Sequence, residues 1–219
     1  SNHTKNEFET KTKQPITVIT NGYDAHKVKV EGKDDKFTLS HIGSLLSERN
    51  PVVLWETLSD LIKENKSFSE LFKLLLIGVV SDDVIHSIYK YGLKNHVNVV
   101  GYVSHDEALK FQMKSQLLLL IEIDSEDTKA IIAGKVFEYL ISETPILAIG
   151  PKDADVEKII TSTNTGTYFN YNQKEELKSQ LLTYFEAFQN KTLKVNAIGL
   201  QPYSRKALTE KLSKIIKDR

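Results

Sequence analysis

From residue 37 onward, short apolar runs alternate with stretches whose apolar residues recur at helical spacing. Runs at 37–42, 74–77, 97–100, 117–121, 145–149 and 167–169 predict six strands, and Gly43, Gly78 and Gly101 close the first three. Between them lie helical patterns through Leu54, Trp55, Leu58, Leu61 and Ile62, through Val84, Ile85, Ile88 and Tyr89 as far as Gly92, and through Ala108, Leu109 and Met113. Further helices are predicted at 135–140, through Val156, Ile159 and Ile160, through Leu177, Leu181, Phe185 and Phe188, and through Leu208, Leu212, Ile215 and Ile216. Asn50-Pro51 reads as an N-cap followed by proline at the first helical position. Ser104-His105-Asp106-Glu107 fits a capping box.

Strands that are apolar throughout belong to parallel sheets covered by helices on both faces. The pattern therefore predicts an α/β fold with a doubly wound, mostly parallel six-stranded Rossmann-like sheet. Right-handed crossovers put all strand C-terminal ends on one edge, where ligands bind in such folds. Residues 1–14 are polar and aperiodic and read as a tail or expression remnant, consistent with a chain that opens on Ser1 rather than Met. Residues 15–36 read as an interdomain linker segment that includes a short strand at 15–20 closed by Asn21-Gly22. The domain proper is expected over 37–200, with a C-terminal helix over 201–219.

Composition changes this picture only by exclusion. A chain of 219 residues, 40% hydrophobic and 26% charged, has room for one sizeable core. Lys plus Arg equals Asp plus Glu, 29 each, which argues against a dedicated nucleic-acid binder but leaves room for a local phosphate site. The absence of cysteine removes disulfides, thiolate catalysis and Cys-ligated metals. No apolar run approaches bilayer length, the polar opening lacks a signal-peptide pattern, and no strongly basic amphipathic helix stands out. The expected location is cytoplasmic, peripheral to the inner face of a membrane at most.

No G-x-G-x-x-G, Walker A or H-E-x-x-H pattern is present, and the six histidines never fall at metal-ligand spacing on one element. Asp153-Ala154-Asp155 is a D-x-D, but it follows Gly150-Pro151 and opens a helix, where acidic residues are favoured by the dipole. The remaining candidates lie on the predicted ligand edge. Gly43-Ser44, Gly78 and Gly101 are strand-end positions where a ligand could approach backbone. Arg49 precedes a helix start, an arrangement that suits an anion, although an exposed surface arginine is an equal reading. Lys135 and Glu138, three apart near a helix start, are either a solvated ion pair or a phosphate and ribose contact, and spacing alone does not decide between them.

Taken in order, these segments resemble the C-terminal, nucleotide-sugar-binding domain of GT-B glycosyltransferases of the glycosyl transferases group 1 type. Gly134-Lys135-Val136-Phe137-Glu138-Tyr139-Leu140 with Pro145-Ile146-Leu147-Ala148 is similar to that family's G-K-x-x-E-Y-L…P-x-L-A stretch. Asn21-Gly22-Tyr23-Asp24, His41-Ile42-Gly43-Ser44-Leu45 with Arg49-Asn50-Pro51, Leu76-Ile77-Gly78, Gly101-Tyr102-Val103-Ser104-His105 and Tyr203-Ser204-Arg205 resemble other family segments in the same order.

The resemblance implies one half of a retaining glycosyltransferase that passes a sugar from a nucleoside diphosphate to a glycan or lipid-linked acceptor, as in surface polysaccharide synthesis. It implies that Glu138 binds ribose, that Arg49 and Lys135 neutralise the diphosphate, that Gly43 and Ser44 face the phosphates beside Gly78, and that backbone at Tyr102 and Val103 meets the base. It further implies no cofactor and no metal, no catalytic residue within this half, a missing N-terminal acceptor-binding domain as partner, no nucleic-acid partner, and membrane contact through the missing half alone. Many relatives carry a glutamate eight residues before Glu138; here that position is Ala130, which leaves the donor-sugar contact open. The alternatives are a non-catalytic Rossmann-like binding module that has lost the donor site, and a nucleotide-sugar epimerase of related architecture.

Overall fold

The computed structural model describes residues 1–24 and 28–217. Residues 25–27 of the expected linker and 218–219 of the expected last helix lie outside the described residues. Six strands form one sheet: β1 (Phe37–Ile42), β2 (Phe72–Ile77), β3 (Val97–Gly101), β4 (Leu117–Ile121), β5 (Ile146–Ile149) and β6 (Gly166–Phe169). Their order is β3-β2-β1-β4-β5-β6 and every pairing is parallel. This is the doubly wound arrangement that the apolar runs predict. β1, β4 and β5 are buried along their whole length, as sequences such as Leu-Leu-Leu-Leu-Ile require, whereas β3 lies at an edge with Asn98 and Val99 exposed.

Nine helices are described: α1 (Asn2–Glu9), α2 (Val52–Glu64), α3 (Lys66–Leu71), α4 (Asp82–Lys90), α5 (His105–Lys114), α6 (Lys135–Leu140), α7 (Asp155–Ser162), α8 (Lys174–Gln189) and α9 (Arg205–Lys217). Side chains of α2, α3, α4 and α8 pack on one face of the sheet with Leu39, Leu74, Leu119 and Ile121. Those of α5, α6 and α7 cover the other with Ile42, Leu118, Leu120 and Ala148. Phe37 and Phe72 begin β1 and β2, and there they meet Phe68, Phe185 and Phe188, with Phe68 stacked on Phe72 at 5.0 Å and Phe37 edge-on to Phe185 at 5.4 Å. Such ring pairs add about 0.5–1.5 kcal/mol each beyond area burial. They fasten the N-terminal edge of the sheet, opposite the edge where ligands are expected.

Three expectations need correction. The polar segment 1–14 contains α1, whose first turn is capped by the Ser1 hydroxyl accepting from Thr4 N–H. The run at 15–20 is not a strand; it lies along α9, with Lys211 Nζ donating to Val18 O, and Tyr23 forms an isolated bridge with Ser204. β-branched residues are therefore not sufficient where no strand edge is offered. Pro51 rather than Asn50 is the N-cap of α2, because Asn50 Oδ1 instead accepts the indole N–H of Trp55 at 2.6 Å. By contrast, the capping box at Ser104 and Glu107 forms as the sequence indicates. No described helix is long and apolar enough to cross a membrane.

Candidate functional site

The strand order reverses between β1 and β4, and there the two strands pair only at Leu39–Leu117 and Ser40–Leu118 before they splay. This switch point leaves backbone groups of Ile42 without a strand partner, and α6 supplies one for each. The Tyr139 hydroxyl accepts Ile42 N–H at 3.1 Å, and Lys135 Nζ donates to Ile42 O at 3.2 Å. Buried backbone groups need such partners, so these bonds fix the start of α6 against the end of β1.

His41 completes the seam. Fully buried, it places Nδ1 3.1 Å from Leu119 O and Nε2 3.3 Å from Lys135 Nζ. Nε2 also lies 3.4 Å from Ser44 O, but the nearer Lys135 ammonium can only donate, which assigns Nε2 as acceptor and Nδ1 as donor, the neutral tautomer. Burial, then the neighbouring Lys135 charge, pushes its pKa down to about 3. Lys135 is itself pushed down to about 8 by burial, with Glu122 opposing the shift and Arg49 adding to it.

In front of this seam lies a cleft of about 260 Å³ lined by Gly43, Ser44, Arg49, Ile121, Gly134 and Lys135. Arg49 ends a 3-10 turn (Ser47–Arg49) held by the Ser47 hydroxyl, which donates to Asp83 at 3.0 Å. Its guanidinium has no ion pair or hydrogen bond among the described residues, yet its charge reaches His41, Glu122, Lys135 and Tyr171. A larger hollow of about 620 Å³ opens at the opposite edge beside Lys33 and Phe188. There the Lys33 ammonium is held internally by Ser115 O and Thr144 Oγ1, whereas Arg49 is available to a ligand. Chemistry rather than size selects the smaller cleft.

Of the residues that the sequence singles out, Gly43, Ser44, Arg49 and Lys135 converge here. Gly43 N–H continues the ladder to Ile77 O at 2.8 Å and Gly78 N–H bonds Gly101 O at 2.7 Å, so neither is open to a phosphate. Gly78 matters sterically: at φ +119°, a Cβ there would sit 2.6 Å from Gly43 O. Ser44 is exposed, and its N–H has no partner among the described residues. Tyr102 is 89% exposed, and Val103 packs under the α5 and α6 face.

Glu138 diverges from Lys135. Gln112 Nε2 donates to its Oε2 at 3.1 Å while the Lys135 ammonium turns to His41 and Ile42 O, so the two do not form the i,i+3 pair. Asp155 of the D-x-D opens α7 and accepts His3 N–H at 3.0 Å, with His3 Nδ1 3.1 Å from its other oxygen, outside hydrogen-bond geometry. Among the described residues, no three His, Asp or Glu come together as metal ligands. Sequence reasoning missed His41 and Glu122; the available signal was a polar residue at the end of an otherwise apolar central strand.

Compared with solved structures, the chain superposes on a point mutant of S. aureus TarM in complex with fondaparinux, alpha-GlcNAc-glycerol and UDP, at a TM-score of 0.67 and 15% identity over 98% of this chain and 42% of that one. The chain has the fold of one half of a GT-B glycosyltransferase. The pneumococcal O-GlcNAc transferase GtfA, in complex with UDP and GlcNAc, matches this half with a TM-score of 0.67 and 14% identity over 100% of this chain and 44% of that one. The C-terminal domain of the glycosyl transferase group 1 family protein LpcC from Francisella tularensis matches at 0.53 and 12% identity, covering 72% of this chain and 79% of that one. The chain thus spans less than half the length of TarM and GtfA. No family model and no curated protein matches the sequence.

Proposed function

We propose that this chain is the donor-binding half of a retaining glycosyltransferase and holds a nucleoside-diphosphate sugar in the β1–β4 crevice. The observation that carries this reading is the pair of cations at the switch point: Arg49, unpartnered among the described residues, beside Lys135, whose ammonium is already oriented by His41 and Ile42 O. Arg49 is suited to bidentate phosphate contact, Lys135 adds a point charge, and Ser44 N–H can donate to a phosphate oxygen. Structural likeness to glycosyltransferases, several in complex with UDP, supports the same ligand class. Departure of the sugar builds negative charge on the diphosphate, and cations fixed beforehand stabilise that charge without reorganising. No metal is required in this reading. The partner is a separate acceptor-binding half, and this chain alone is expected to bind donor without transferring sugar.

A second reading, a binding module that has lost the donor site, is favoured by the engagement of Glu138 with Gln112 and by Ala130. A thermal-shift panel of UDP, GDP, ADP and CMP separates the two. A ligand at about 100 times its Kd stabilises the fold by about 2.7 kcal/mol. One diphosphate should shift the melting temperature, and Arg49→Ala should abolish the shift. Glu138→Ala should cost about 1–3 kcal/mol of affinity if its carboxylate turns from Gln112 to the ribose. No response to any nucleotide at millimolar concentration would favour the second reading.

A further inference from the structure

A lysine ammonium has three N–H donors and no acceptor. Lys135 uses two of them inside the protein, one on Ile42 O at 3.2 Å and one on His41 Nε2 at 3.3 Å. One is left for the cleft, which Lys135 lines. The head lies against the loop after β1, with Nζ 3.4 Å from the point where a Cβ on Gly43 would stand.

β1 brings a fully buried histidine to this head. A leucine there would avoid taking two ring nitrogens out of water, so both nitrogens need partners. The β1–β4 ladder stops after Ser40–Leu118, and Nδ1 takes the next carbonyl of β4, Leu119 O, at 3.1 Å. Nε2 takes the Lys135 ammonium. The ring is planar and rigid, so β4 fixes Nδ1, the ring fixes Nε2, and Nε2 fixes the lysine head. α6 itself is secured separately, by the Tyr139 hydroxyl and Ile42 N–H at 3.1 Å. The imidazole is therefore left with one task beyond its bond to Leu119, the direction of Lys135.

We infer that His41 is a positioning residue of the anion site and acts on the ligand only through Lys135: it holds the ammonium with one N–H free for a phosphate oxygen before any ligand arrives. This rests on the nucleotide-sugar reading above and deepens it with a residue that itself touches no ligand. A long side chain ordered in advance does not have to be ordered by the ligand, and affinity rises accordingly.

The test pairs two amides. An Asn amide stands where Nδ1 stands and can donate to Leu119 O without reaching Lys135, whereas a Gln amide stands where Nε2 stands and can accept from Lys135. UDP, GDP and ADP are titrated by calorimetry into the 219-residue chain, His41→Asn, His41→Gln and Lys135→Met, and each His41 change is repeated on Lys135→Met. His41→Asn should weaken the diphosphate about three- to tenfold, the range for a flexible side chain that the ligand must order. His41→Gln should restore binding to within about twofold of the native chain. On Lys135→Met neither change should move affinity by more than about twofold, because the residue through which His41 acts is gone. Equal weakening by Asn and Gln, or the same loss with and without Lys135, would overturn the role and leave His41 as packing for the strand. A measurement on the native chain covers the case of variants that do not fold: with isotope-labelled lysine, the Lys135 ammonium protons should exchange slowly and be visible by NMR before any nucleotide is added. Their absence would overturn the inference as well. No diphosphate binding by the native chain would overturn the nucleotide-sugar reading, and this role with it, whatever the ammonium signal shows.

Discussion

The indole N–H of Trp55 donates to Asn50 Oδ1 at 2.6 Å, so the residue next to Arg49 is tied to a fully buried side chain of α2. Trp55→Phe keeps most of the apolar burial and removes the donor. It should lower stability by about 1 kcal/mol, seen in the denaturant midpoint, and should weaken diphosphate binding although Trp55 does not line the cleft. Unchanged affinity would mean that the 47–49 turn holds Arg49 without this bond.

The Lys135 ammonium gives stability and binding opposite pH trends. Its pKa is about 8 in the fold against 10.5 for a free lysine, so between those values the unfolded chain holds more protons. Stability should therefore be indifferent to this group below pH 8 and should rise from there towards pH 10.5. Lys33, also held near 8, contributes with the same sign. Diphosphate affinity should fall over the same interval as the cleft loses a cation. Lys135→Met should flatten the binding profile above about pH 8 and remove part of the stability rise, as read by denaturant titrations and calorimetry at about pH 7, 8 and 9.

His41 acts at the acid end. Its pKa is about 3 in the fold and 6.5 when free, so its contribution to stability is lost as pH falls from 6.5 towards 3. One proton bound by the unfolded chain alone corresponds to a slope of about 1.4 kcal/mol per pH unit. His41→Gln should make the stability profile shallower by up to that slope between about pH 6 and 4. Urea midpoints of both proteins across that range check this, since contributions from the carboxylates are shared.

Gly78→Ala should cost about 2 kcal/mol or more, because the backbone has φ +119° and the new Cβ would meet Gly43 O at 2.6 Å. The displaced Gly43-Ser44 loop should also bind diphosphate more weakly. A variant of native stability and native affinity would show that the loop after β1 yields at no cost.

The central architecture was legible because β4 and β5 are apolar at every position and their burial leaves one solution, a parallel sheet covered twice. The Ser104 cap was legible because its partner lies three residues away. α1 was not, since its helix buries none of its residues and carries no periodic signal. Nor was α3, six residues long behind an Asn65 cap that resembles any polar turn. At the site, Arg49 and the glycines announce themselves by type and place. The role of His41 depends on which strand lies beside β1, and that adjacency is set by packing across the chain. The separation of Lys135 from Glu138 has the same origin: Gln112, 26 residues away in sequence, draws the carboxylate across to α5.

The aromatic cluster of Phe37, Phe68, Phe72, Phe185 and Phe188 has a consequence for redesign. It grips the sheet at the end farthest from the cleft, so the loops after β1, β2 and β3 lie away from it, and of the first loop only Leu45, fully buried, belongs to the same core. Chimaeras that graft these loops from another nucleotide-binding chain should keep a cooperative melt while exchanging ligand preference, provided the glycines at 43 and 78 and the buried Leu45 are kept.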